Sequence, residues 1–158
     1  MPKTDRAALE SLIAADVRAM TAESDQIGRH FAGRHDVAAN DFRALLHVMV
    51  AETSGSPLTA GELRTRMGMS GAAITYLVER MIASGHFRRD SDPSDRRKVI
   101  LRVADDGMNV ARGFFMPLAA HNRRALAALS DDDLAAAHRT FAAIIDAMQA
   151  FRSQLDES

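Results

Sequence analysis

The hydrophobic period switches from helical to strand-like just after Gly85, and that change narrows the fold more than any other feature. Before it, apolar residues recur at helical spacing. After it, Lys98, Ile100 and Arg102 alternate with Val99, Leu101 and Val103, the period-two pattern of a strand. His86-Phe87-Arg88-Arg89 reads as the partner strand, and Asp90-Ser91-Asp92-Pro93-Ser94-Asp95 as the turn between them. Two short helices precede this hairpin. Thr59-Ala60-Gly61-Glu62 is a capping box, and the helix that it opens runs to about Met67, ended by Gly68. Ser70 caps the next helix, which carries Ile74, Leu77, Val78, Met81 and Ile82 and stops at Gly85. The pattern predicts a helix-turn-helix joined by Gly68-Met69-Ser70, followed by a hairpin with a charged tip.

Longer helices flank this centre. Leu9, Leu12, Ile13, Val17, Met20, Ile27 and Phe31 predict a helix over about 5–31, with a loop at 33–40 around Gly33, Asp36 and Asn40. A second helix is expected from about Asp41, through Phe42, Leu45, Leu46, Val48 and Met49, to Ser54-Gly55-Ser56-Pro57. Beyond the hairpin, a long helical stretch from about Asp105 carries Val110, Phe114, Leu118, Leu126 and Leu129. Ser130-Asp131-Asp132-Asp133 opens the last helix, with the acids at the positive end of its dipole. Its apolar stripe is Leu134, Ala137, Phe141, Ile144, Ile145, Met148, Phe151 and Leu155. The expected class is mainly α with a small β-hairpin wing. It comprises a winged helix-turn-helix at 36–104 and long terminal dimerisation helices at 1–35 and 105–158, all one structural unit.

The net charge of −1 conceals an uneven distribution. Residues 59–102 hold nine Arg/Lys against five Asp/Glu, a local net of +4, and the remainder carries −5. A basic middle between acidic ends suits a polyanionic partner. The absence of cysteine excludes disulfides, thiolate zinc sites and a thiol redox sensor. No apolar run approaches the roughly 20 residues of a membrane span, and Asp5, Glu10 and Asp16 interrupt any signal peptide. A cytoplasmic location without membrane association is expected. No nucleophile–base pair or metal-ligand spacing points to an enzyme, and no cofactor is expected. Gly61, Gly68 and Gly71 do not form a dinucleotide-binding loop.

The second helix of the pair begins Ser70-Gly71-Ala72-Ala73-Ile74-Thr75-Tyr76. Small residues in its first turn let the backbone approach a phosphate or base edge, with N–H groups facing the anion. Ser70, Thr75 and Tyr76 can hydrogen-bond, and Ala72 and Ala73 can touch thymine methyls. Arg64 and Arg66 suit phosphate contacts, and Arg80 and Arg88 extend the same basic surface. Residues from about 58 to 107 resemble the MarR (multiple antibiotic resistance regulator) family, above all in Asp92-Pro93-Ser94-Asp95-Arg96-Arg97 and the strand that follows. The resemblance implies a DNA-binding transcriptional regulator, a repressor by expectation. It further implies that Asp95 orients Arg96, that Arg96 enters the minor groove, and that Arg97 and Lys98 neutralise phosphate. One departure is Ala104-Asp105-Asp106-Gly107, where members commonly cap the next helix with Thr. Ala caps poorly, at a cost of about 1 kcal/mol, so Asp105 is the expected substitute.

Such a protein reads palindromic double-stranded DNA as a homodimer, and the apolar terminal helices are its natural interface. The resemblance also implies a small aromatic or phenolic effector. Candidate lining residues are His30, Phe31, His35, Phe42, Leu46, His47, Met49, Phe114 and Phe115; the alternative for each is plain core packing. Two other readings stay open. One is a metal-sensing regulator in which His30, His35 and His47 converge with Asp36 or Asp41. The other is a helical protein-interaction module that does not bind DNA.

Overall fold

The computed structural model describes residues 5–34 and 37–157. In chain order the elements are α1 (Arg6–Arg34), α2 (Ala39–Thr53), α3 (Ala60–Met67), α4 (Gly71–Ala83), β1 (Phe87–Ser91), β2 (Val99–Val103), α5 (Asp105–Leu126) and α6 (Asp131–Asp156). The mainly helical class with one antiparallel hairpin is as expected. The chain divides between Phe115 and Met116 into two compact units.

The local signals act as their chemistry requires. The Thr59 hydroxyl accepts from the Glu62 N–H, and the Glu62 carboxylate accepts from the Thr59 N–H, closing the capping box of α3. Gly68 ends α3 in the left-handed region at φ 64°, where a Cβ would be strained. The Ser70 hydroxyl accepts from the Ala73 N–H at 3.2 Å and opens α4. Gly85, at φ 76°, turns the chain out of α4 and lets the His86 N–H reach the Met81 carbonyl at 2.8 Å.

The first unit is built on the apolar faces of α2, α3 and α4. Leu45, Val48, Leu63, Leu77, Val78 and Met81 are buried in one cluster with Phe87, Leu101 and Val103 of the hairpin. Burying a side chain of this size contributes about 1.5–3 kcal/mol relative to exposure. The hairpin pairs Phe87 with Val103 and Ser91 with Val99, so Phe87, Leu101 and Val103 share the face towards that cluster.

Several boundaries differ from expectation. The loop expected at 33–40 is shorter, because α1 continues to Arg34 and α2 starts at Ala39; Gly33 and Asn40 are helical. One glycine costs a helix only about 1 kcal/mol, and buried Ala32 anchors the turn beside it. The N-cap of α2 is Ala38, with no side-chain hydrogen bond, so no polar residue signals this start. The first strand is Phe87–Ser91, one residue later at its start and two at its end than expected. The second begins at Val99, because Lys98 closes the turn with its N–H on the Asp95 carbonyl. Ile100 is buried as fully as Leu101, so β2 is covered on both faces rather than one. Helix α5 ends at Leu126, and Leu129 lies in the turn that follows. It starts at Asp105, but the carbonyl of Ala104 takes the Met108 N–H, so Ala104 keeps the cap position. Pro117 stands inside α5, a feature with no place in the sequence reading.

The second unit holds the C-terminal part of α5 and all of α6. Ser130 and Asp133 form a capping box at the start of α6, with the Ser130 hydroxyl accepting from the Asp133 N–H at 3.1 Å. No residue of α6 is buried. No helix among the described residues is long and apolar enough to cross a membrane.

Candidate nucleic-acid interface

Helix α4 turns Ile74, Leu77, Val78 and Met81 inward, which leaves Gly71, Ala72, Thr75 and Tyr76 exposed on the opposite side. Nothing lies within 4 Å of a Cβ built on Gly71, so the first turn of the helix is open. The Thr75 hydroxyl donates to the Gly71 carbonyl at 2.9 Å, and Ala73 is half-buried. Tyr76 is 69% exposed, on a helix that buries Ile74, Leu77, Val78 and Met81. On α3, Arg64 donates from Nε to the Met69 carbonyl at 3.2 Å and so braces the turn between the two helices. Arg66 is exposed.

Arg80 is held differently from the other arginines. Its guanidinium grips the Asp41 carboxylate with two hydrogen bonds, Nε to Oδ2 at 3.2 Å and Nη2 to Oδ1. The Asp41 side chain is 13% exposed. The Arg80 guanidinium carbon lies 5.1 Å from the centroid of the Tyr76 ring.

The hairpin carries six cations, and four are paired. Arg88 faces Arg102 directly across the ladder, a like-charge juxtaposition that would destabilise the strand pair. Asp90 offsets it, accepting from Arg88 at 3.1 Å and lying 3.6 Å from Arg102. These contacts, Arg88 first, hold the Asp90 carboxyl below its ordinary range. Arg89 pairs with Glu79 of α4, and Lys98 with Glu62 of α3 at 3.3 Å. Glu52 of α2 accepts from the Val103 N–H at 3.1 Å and reaches Arg102 at 3.5 Å. One glutamate from each of three helices thus pins the hairpin, Glu52 at its base, Glu79 at mid-strand and Glu62 where the turn closes.

The tip is built by its acids. The Asp92 carboxylate accepts from the Ser94 hydroxyl and N–H, and the Asp95 carboxylate accepts from the Arg97 N–H at 3.0 Å. The Ser94 bonds are the main reason that the Asp92 carboxyl sits below its ordinary range. Asp95 therefore holds the backbone of the turn that carries Arg96. Arg96 and Arg97 are both exposed, and neither meets a carboxylate among the described residues.

A separate cluster gathers four phenylalanines. Phe31 of α1, Phe42 of α2 and Phe114 of α5 pack with ring centroids 5.0–5.1 Å apart, and Phe115 lies 4.9 Å from Phe114. Gly28 of α1 packs beside the Phe42 ring, close enough that an added Cβ would be in van der Waals contact with it. His30 is exposed, Leu46 and His47 are half-buried, and Met49 packs on the helix-turn-helix core instead. His35 and Asp36 lie outside the described residues. Asp41, a candidate metal ligand by sequence, has both oxygens on Arg80.

Sequence reasoning brought Arg96, Arg97, Thr75 and Tyr76 forward, but it missed Glu52, Glu79, Arg89 and Arg102. It also missed the backbone bond from the Leu101 N–H to the Leu58 carbonyl at 2.7 Å, which ties β2 to the segment before α3. No periodic signal marks such pairs. The Glu62–Lys98 and Glu52–Val103 partners stand 36 and 51 residues apart.

Residues 35–98 match the model of the MarR family. The uncharacterized HTH-type transcriptional regulator YcgE of Bacillus subtilis (strain 168) is 37% identical over 62 residues, 39% of this chain and 40% of that relative. The chain thus spans well under half the length of this curated relative. A MarR family protein from Bacillus stearothermophilus superposes with a TM-score of 0.65 at 20% identity, over 92% of this chain and 99% of that one. The S. aureus MepR–DNA complex gives 0.52 at 13% identity, covering 83% and 96%. S. aureus MepR bound to ethidium bromide gives 0.55 at 12%, covering 85% and 95%. At these identities the structures establish a shared fold.

Proposed function

We propose, given that residues 35–98 match the model of the MarR family, that this chain is a sequence-specific, DNA-binding transcriptional repressor that acts in the cytoplasm as a homodimer on a palindromic operator. One observation carries the reading. Of the six cations on the hairpin, Arg88, Arg89, Lys98 and Arg102 are paired, and the two left open, Arg96 and Arg97, stand at its tip. Cations held away from carboxylates at the end of a rigid ribbon suit the negative potential of a narrow minor groove. Beside them α4 offers an uncovered first turn and the exposed Thr75 and Tyr76 to a major groove. Arg64 and Arg66 would steady the duplex through phosphate. The DNA complex of the similarly folded MepR supports the same use of this fold.

The test is selection of duplexes from a random pool, followed by binding at several salt concentrations. A selected palindrome should have half-sites about one helical turn apart, near 34–36 Å. With six to ten phosphates neutralised per dimer, affinity should fall about 10³- to 10⁵-fold between 50 and 200 mM salt. No enrichment, or affinity flat with salt, would refute the reading and favour a protein-interaction module.

A second reading concerns release from DNA, and the phenylalanine cluster favours it. A flat aromatic ligand that enters among Phe31, Phe42, Phe114 and Phe115 would separate α1, α2 and α5 where these rings meet. The ethidium complex of MepR is a precedent for an aromatic ligand on this fold. With His30 or His47 to meet an anion, an aromatic acid is the expected class. Tenfold release from DNA requires about 1.4 kcal/mol of preference for the DNA-incompetent arrangement. Titrating salicylate-like and phenolic compounds into the DNA complex tests this; no release at millimolar concentration, with release by zinc instead, would favour metal sensing.

A further inference from the structure

Among the described residues, Asp41 is the one charged side chain buried in the core, and it lies in the first turns of α2, 39 residues from its partner in sequence. Both of its oxygens are taken by Arg80, so the guanidinium plane is fixed in two directions. That plane lies against Tyr76, one turn back on the same helix and 5.1 Å away. Tyr76 is otherwise uncovered. An exposed aromatic on a helix samples several rotamers, and a ring that samples several rotamers discriminates poorly between base edges. A guanidinium clamped from below removes that freedom before DNA arrives.

We propose that Asp41 and Arg80 are positioning residues that hold the Tyr76 ring in one orientation and thereby set which operator sequences α4 accepts. The proposal rests on the reading of α4 as the DNA-reading helix. It also removes Arg80 from the phosphate contacts, because its charge is already met inside the protein.

The chain contains one tyrosine and no tryptophan, so tyrosine emission reports Tyr76 alone, without DNA. In the free protein, Asp41→Asn and Arg80→Lys should both lower the emission anisotropy of Tyr76. Lysine keeps the charge of Arg80 but loses its planar two-point grip. In binding to single-base-pair variants of a selected duplex, both substitutions should flatten preference about fivefold or more at the positions that Tyr76→Ala flattens. Asp41→Asn with Tyr76→Ala should be no flatter than Tyr76→Ala alone. The salt dependence of Arg80→Lys should match wild type. Thermal unfolding of each variant selects a temperature at which all remain folded, and Arg80→Lys keeps the test open if Asp41→Asn is too unstable. Unchanged anisotropy in Arg80→Lys would overturn the proposal. So would equal loss on every duplex by Arg80→Gln with a salt slope lower by about one, the signature of a phosphate contact. Failure of wild type itself to select any duplex would instead refute the DNA reading on which the proposal stands.

Discussion

Glu62 serves two parts of the fold at once. One carboxylate oxygen accepts from the Thr59 N–H at 2.7 Å and completes the cap of α3, and the other meets Lys98 at 3.3 Å where the turn of the wing closes. The Thr59 bond, with Lys98 behind it, holds the carboxyl below the ordinary glutamate range. A depressed folded value means that ionised Glu62 favours the native state. That contribution is complete above the unfolded value of about 4.3 and fades as pH falls through the lower folded value. Wild type should therefore lose stability through this window more steeply than Glu62→Gln, as read by chemical denaturation at a series of pH values. Parallel curves for the two proteins would show that the carboxylate does not carry the effect. At the wing tip, Arg96→Ala should weaken operator binding by about 1–3 kcal/mol while leaving the melting temperature unchanged, since Arg96 meets no carboxylate among the described residues. An operator titration at fixed salt measures this, and wild-type affinity would remove Arg96 from the interface.

Among the elements, the wing and α5 show how context outweighs pattern. Strand β2 alternates in sequence, yet Ile100 and Leu101, on opposite faces, are both buried. The hairpin is a covered strand pair at its base and a solvated turn at its tip. Glu52, Glu62 and Glu79 fix the hairpin along its length to α2, α3 and α4, so a two-stranded ribbon that would be marginal alone is held rigid. Helix α5 runs through Pro117, which has no N–H to give the Gly113 carbonyl. Proline in a helix interior costs up to about 3 kcal/mol, and the break between the two compact units falls two residues before it. Pro117→Ala should slow amide exchange over residues 113–121 and raise thermal stability. Exchange as fast as in wild type would mean that the carbonyl is satisfied by other means.

For the whole molecule, the question is what covers the long helices. Helix α1, about 44 Å long at 1.5 Å per residue, buries only Ala32 and leaves Leu12 and Met20 at least half exposed. Helix α6 leaves Ile145, Met148, Phe151 and Leu155 between 51% and 60% exposed along one stripe. Apolar stripes of this length call for a partner surface, and in the proposed closed two-fold dimer a second copy of the same chain would supply it. Replacing both Ile145 and Phe151 with Asp should give a monomer by light scattering. Affinity for a palindromic duplex should fall about a hundredfold or more, because the second half-site no longer arrives tethered to the first. The helix-turn-helix core should stay folded, since α6 has no buried residue to lose. A dimer that survives both charges would place the interface elsewhere.

Whatever is local can be read directly from the order of residues. Capping at Thr59, Ser70 and Ser130, the left-handed glycines at 68 and 85, and the switch from helical to strand period are each set within about four residues, the reach of a side chain to its own backbone. Those signals were enough to read the winged helix-turn-helix and the exposed face of α4. Only the tertiary structure decided which cations are free. Arg80, Arg89, Lys98 and Arg102 look like Arg96 and Arg97 along the chain, and they differ because folding brings Asp41, Glu79, Glu62 and Glu52 against them. The same holds for the buried face of Ile100 and for the four phenylalanines, drawn from three helices into one cluster. Charge pairing and burial depend on neighbours in space, and a linear pattern carries no record of those once the partners lie dozens of residues apart.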